Sequence, residues 1–146
     1  MTTRSTYVWN GTGWDEIGVA VVGIRANTTP QTAVITSSSL ANLAVQKTTV
    51  TIDQAYRILK VQTDRAARVR LYTTTTARDA DESRAAGTDP ADNTGVIMDV
   101  VTTSDMLSID LSPVVDGWLA SGTSVPISIT NLSGSTSTVV VTMTYV

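Results

Sequence analysis

The side chains of this 146-residue chain that could do chemistry fall into three groups. The first is acidic. Asp79, Asp81, Glu82, Asp89 and Asp92 crowd into "RDADESRAAGTDPADN". Closely spaced carboxylates with backbone carbonyls are a ligand set for Ca²⁺, so Asp79, Asp81, Asp89 and Asp92 form a weak candidate cation site. The run lacks the glycine and distal glutamate of an EF-hand loop, and Arg78 and Arg84 stand in it as counter-charges. A solvated loop with its own ion pairs is therefore the competing reading. Two carboxyls facing each other across a cleft would serve glycoside hydrolysis, but nothing in the spacing sets two of these opposite one another.

The second group is basic. Arg65, Arg68 and Arg70 make a short row, and on a strand Arg68, Arg70 and Tyr72 share one face. Such a face can hold a phosphate or a sugar carboxylate. The alternative is a solvated outer face, or one paired with acids of a neighbouring subunit. The third group is aromatic. Tryptophan faces stack on sugar C–H faces, so Trp118, with Tyr72, Arg68 and Arg70, is a candidate glycan platform. Tyr7, Trp9 and Trp14 lie in "YVWNGTGW" around an Asn-Gly step, which favours a hairpin turn. A cross-strand aromatic pair is worth about 0.2–1 kcal/mol, and a lone two-stranded hairpin is marginal in water. These three residues are therefore expected to dock the hairpin on its own domain, a sister subunit or a larger assembly.

Missing residue types exclude much else. The chain has no cysteine and no histidine, which removes disulfides, thiolate zinc sites and Ser-His-Asp or Cys-His catalysis within it. Lys and Arg number 10 against 13 Asp and Glu, a net charge of −3, so no basic field favours nucleic acid. The polar "MTTRSTYVWN" predicts no signal peptide, and no apolar run approaches a membrane span. The expectations are a non-enzymatic protein with no cofactor and no nucleic-acid or membrane partner.

The elements that would position these groups are strands. Thr and Ser supply roughly a quarter of the chain and phenylalanine is absent; Val and Thr suit a pleated surface. Three zones follow: an N-terminal hairpin or anchor over 1–24, an extended arm or linker over 25–46, and a domain over 47–146. "SSLANLAV" in the arm could form one helical turn. In the domain, "TTVTID", "YRILKVQ", "ARVRLY", "VIMDVV", "DMLSIDL", "SVPISITN" and "TVVVTMTYV" alternate or run apolar as strands do. Pro126 suggests an edge strand or a bulge. "SPVVDGWLASG" reads as a bend, and the acidic run as a loop with at most a short helical turn at "DADESRAA". The pattern predicts an all-β, jelly-roll-like β-sandwich with an N-terminal hairpin and arm.

"YVWNGTGWDEIG" resembles the Trp-turn-Trp segments of bacteriophage tail and fibre proteins. "ARVRLYTTTTARDADESRAAGTDPADNTGVIMDVVTT" and "VPISITNLSGSTSTVVVTMTY" resemble a β-sandwich module of phage virion proteins, over most of Tyr56 to Val146. The resemblance implies a virion protein on the particle surface, either head decoration or cement or a small tail or fibre subunit, and the N-terminal hairpin and arm are expected to anchor it there. It also implies contacts with its own copies, a trimer by analogy, and with other virion proteins. A module reading host surface glycan is the alternative. The resemblance carries no catalytic residues.

Overall fold

The computed structural model describes residues 12–13 and 29–146 with their side chains, and 4–9 and 14–20 as backbone. Strands β1 (Arg4–Trp9) and β2 (Trp14–Ala20) pair antiparallel, with Trp9 opposite Trp14 and Arg4 opposite Ala20. Asn10, Gly11, residues 21–28 and the side chains of Tyr7, Trp9 and Trp14 lie outside the described residues.

Eight further strands follow: β3 (Gln31–Thr36), β4 (Val45–Thr51), β5 (Ala55–Thr63), β6 (Ala67–Tyr72), β7 (Val96–Thr102), β8 (Ser108–Trp118), β9 (Ser124–Asn131) and β10 (Val140–Tyr145). One short helix, α1 (Thr75–Ala80), lies between β6 and β7. The strands form two antiparallel sheets, in the orders β3-β10-β5-β8 and β4-β9-β6-β7. The pairings nest: β3 with β10, β4 with β9, β5 with β8, β6 with β7. This is one long hairpin rolled up so that successive pairs enter alternate sheets, the jelly-roll arrangement.

The core is aliphatic and follows the period of two. Ile58, Val61, Val69, Leu71, Val125, Ile127, Ile129, Val141 and Met143 have no solvent exposure. Each large aliphatic side chain buried in this way contributes about 1.5–3 kcal/mol. Tyr56 lies over its cross-strand partner Gly117, and a Cβ at 117 would run into the Tyr56 ring. The glycine makes room for one of the few aromatic rings in the core.

Several expectations are corrected. The segment 25–46 is not all arm or linker: β3 pairs over its whole length with β10, and Ala33 and Ile35 pack on the core. The sandwich therefore begins at Gln31, not Lys47. Threonines flanking Ala33-Val34-Ile35 are strand formers here rather than linker filler. "SSLANLAV" forms no helical turn. Leu40 bridges to Ser137, and Leu43 takes a left-handed φ of 68°. The backbone there is claimed by Asn131, which is fully buried; its Nδ2 donates to the Leu40 and Ser135 carbonyls at 2.8 Å.

Pro126 does not mark an edge, since β9 lies between β4 and β6. The β6 pairing covers Ile127 to Asn131, so Pro126 stands just past it. The bend expected at "SPVVDGW" is the second half of β8. The β5 register jumps there from Val115 opposite Ile58 to Asp110 opposite Lys60, which places Pro113 among residues outside the ladder.

Candidate functional site: a strapped face and an open face

The two sheets differ on their outer sides. After β6, Thr74 caps α1 by accepting from the Ala77 N–H at 3.0 Å. The helix and the residues that follow it cross the outer face of the β4-β9-β6-β7 sheet. Cross-strand register sets Lys47, Ser128, Arg70 and Asp99 in one row on that face.

The strap is bonded to β4, β6 and β7 of this sheet. On β6, Arg70 Nη1 donates to the Asp81 carbonyl at 2.7 Å and to Asp81 Oδ2 at 3.1 Å. The Tyr72 hydroxyl donates to the same Oδ2 at 2.9 Å and lies 3.3 Å from Ser128 Oγ on β9. Arg68 grips Asp99 of β7 with two bonds, at 2.9 and 2.6 Å, and donates to the Arg84 carbonyl at 2.7 Å. Arg84 joins both carboxylates, 2.6 Å from Asp81 and 2.8 Å from Asp99. On β4, Lys47 meets Glu82 at 3.0 Å and Asp79 at 3.5 Å, and Arg78 donates to the Thr48 carbonyl at 2.9 Å. Such two-pronged guanidinium–carboxylate bonds fix geometry as well as charge.

The electrostatics follow from this packing. Burial alone would raise the Asp81 carboxyl, but the bonds from Arg84 and Tyr72 and the charges of Arg84 and Arg70 outweigh it. Its pKa falls below the ordinary value. Asp99 behaves alike: desolvation raises it, and Arg68 and Arg84 bring it down further. The Tyr72 phenol is pushed up, chiefly by burial. Three guanidiniums share two carboxylates here, and the buried Nε of Arg70 has no partner among the described residues.

These positions correct the site expectations. Arg68, Arg70 and Tyr72 are 4%, 1% and 0% exposed, so they face the strap and not a ligand. Trp118 is 70% exposed but belongs to the other sheet. The proposed glycan quartet is therefore not brought together. The cation candidates do not converge either. Asp81 is held by Arg70 and Arg84, Asp79 by Arg78 and Lys47, and Asp89 and Asp92 are exposed. Among the described residues no group of three carboxylates is placed to hold a metal ion. Arg65 stands apart from Arg68 and Arg70, 2.7 Å from Asp64, in a shallow cleft of about 410 Å³ that Ser104, Leu107, Leu132 and Ser133 also line.

The sequence view missed Asp99, which looked like one polar residue in a strand. It also took Arg68 and Arg70 for outer-face residues without a cover. A signal was available: Arg68 and Arg70 alternate with Val69 and Leu71 beside an acidic run that holds its own arginines.

The β3-β10-β5-β8 sheet is open. Strand alternation and register place Val34, Thr142, Gln62 and Ser108 in one outward row, and Thr32, Thr144, Lys60 and Asp110 in the next. Surface ion pairs Lys60–Asp110 and Arg57–Asp116 cross it at 3.1 and 2.7 Å. Val34, Val114 and Trp118 stand exposed on this face. Among the described residues no segment covers it.

Compared with family models, curated proteins and solved structures, the chain matches none.

Proposed function

We propose that this protein is a non-enzymatic structural subunit of a phage particle, a jelly-roll domain attached at the particle surface through its open sheet face. One observation carries the reading: the asymmetry of the sandwich. The charged side chains best suited to chemistry are spent on closing one face, while the other presents Trp118, Val114 and Val34 to solvent. Exposed tryptophan at the middle of an interface is a frequent source of binding energy. The phage setting rests on the sequence resemblance, and the fold agrees with it only by analogy, since jelly rolls serve capsid and lectin domains alike. The N-terminal hairpin would add a second attachment.

The test is mass spectrometry and immunogold labelling of particles from the source. The protein should be found on purified particles, and Trp118→Ala should weaken its binding to particles lacking it by about ten-fold or more. Absence of the protein from the particles would sink the virion reading.

A host-glycan reading is favoured by one observation, the exposed Trp118 on the same face as the Arg57–Asp116 pair. It requires binding to host polysaccharide that is lost in Trp118→Ala. No binding at millimolar concentration would exclude it.

A further inference from the structure

Every open sheet has two edges, and an unprotected edge offers its free N–H and C=O groups to another strand. Three of the four edges of the two sandwich sheets carry protection. In β8, Asp110, Asp116, Pro113 and the register jump interrupt the edge. In β7, Asp99 lies mid-strand and an extra residue, Ile97, breaks the register beside Tyr72. In β4, Lys47 lies mid-strand and Arg78 of the strap takes the Thr48 carbonyl.

The fourth edge, β3, carries none of these. "QTAVIT" has no charge, no proline and no glycine, and its pairing with β10 runs without a shift. Among the described residues no strand pairs with its outer edge. Short uncharged β-branched segments of this kind are the ones that self-associate through their edges.

We infer that the β3 edge is the contact between two copies of this chain, paired antiparallel across a two-fold axis at Val34. The register follows from the faces. Directly opposed residues in an antiparallel pair share a face. Val34 opposite Val34 therefore keeps both sandwiches on one side of a continuous eight-stranded sheet. That register sets Thr32 opposite Thr36 twice and Ala33 opposite Ile35 twice. It covers the 62%-exposed Val34 with its own copy and brings no charges together. A register shifted by one residue would set Ala33 opposite Val34 and reverse the faces. The pairing is isologous and closes at two copies, in contrast to the trimer that the resemblance implies. It does not depend on what the open face binds.

The absence of cysteine makes the test direct. Opposed Cα atoms in an antiparallel pair lie about 4.5–5.5 Å apart, within disulfide reach. Under mild oxidation the full chain carrying Val34→Cys should form a covalent dimer. The same chain carrying Val101→Cys on β7, or Thr32→Cys alone, should not. The double variant Thr32→Cys/Thr36→Cys should cross-link like Val34→Cys. By sedimentation the unmodified chain should have twice the 15.4 kDa monomer mass, and Val34→Lys should return it to one.

A monomer mass with no preferential Val34→Cys cross-link would overturn the proposal, as it would if the chain's own N-terminal residues took the edge. So would a trimer, or a dimer indifferent to Val34→Lys. Should Val34→Lys fail to fold, the cross-linking set still decides. Particle attachment lost without change in mass, or the reverse, separates this inference from the functional reading.

Discussion

At the residue scale, Asp81 holds the strap closed. It gathers Arg70, Arg84 and Tyr72 with 7% of its side chain exposed, against 22% for Asp99. Removing one partner of a buried charge network leaves the others uncompensated. Asp81→Ala should therefore cost about 3–5 kcal/mol of stability, and Asp99→Ala less, because water reaches the Asp99 site more easily. Urea unfolding would measure both; equal costs would contradict the burial argument. The same carboxylates set an acid limit. Both have folded pKa values below the ordinary 3.8. Their contribution is complete above the unfolded value and is lost as pH falls through 3.8 toward the folded value. The thermal midpoint should fall steeply below about pH 4, and less steeply in Asp99→Asn. Identical acid profiles for the two proteins would show that the strap does not carry the effect.

At the element scale, two small features hold strands and turns in place. Gly117→Ala should cost about 1–3 kcal/mol, because the added methyl group meets the Tyr56 ring. Asn131→Ala should cost about 1–3 kcal/mol, since it removes a buried amide that donates to the Leu40 and Ser135 carbonyls and accepts from the Ser133 N–H. Thermal unfolding of each variant checks these values. Most strands were legible in the sequence. The alternation of Val139, Val141, Met143 and Tyr145, or of Val125, Ile127 and Ile129, survives intact as the core. Strand β3 was not legible, because its apolar residues Ala33-Val34-Ile35 do not alternate with polar ones and lie among small polar residues; its strand state comes from pairing with a segment more than 100 residues away. The site was less legible than the fold. Burial of Arg68 and Arg70 depends on where the acidic run lies in space, and local pattern does not encode that. Only the presence of both charge signs was visible.

At the scale of the whole molecule, the division between a strapped and an open face gives a test that separates stability from binding. Trp118 makes no contribution to the core, so Trp118→Ala should change unfolding stability by no more than about 0.5 kcal/mol. Calorimetry of the variant would settle this. A large loss would mean that Trp118 supports the fold and is not free to serve an attachment face.

The nesting of the strands has a consequence for synthesis. Strand β10 lies between β3 and β5, so the first sheet lacks an inner member until Val140–Tyr145 has left the ribosome. Among the described residues strand β3 has no other partner, although it is made more than 100 residues earlier. The uncharged "QTAVIT" must wait while more than 100 further residues are made. Sheets that rely on such distant pairings fold slowly and expose their edges meanwhile. Crowded polysomes making this protein therefore hold many copies of the same sticky strand close together, and a chaperone that shields nascent β-strands should raise its soluble yield.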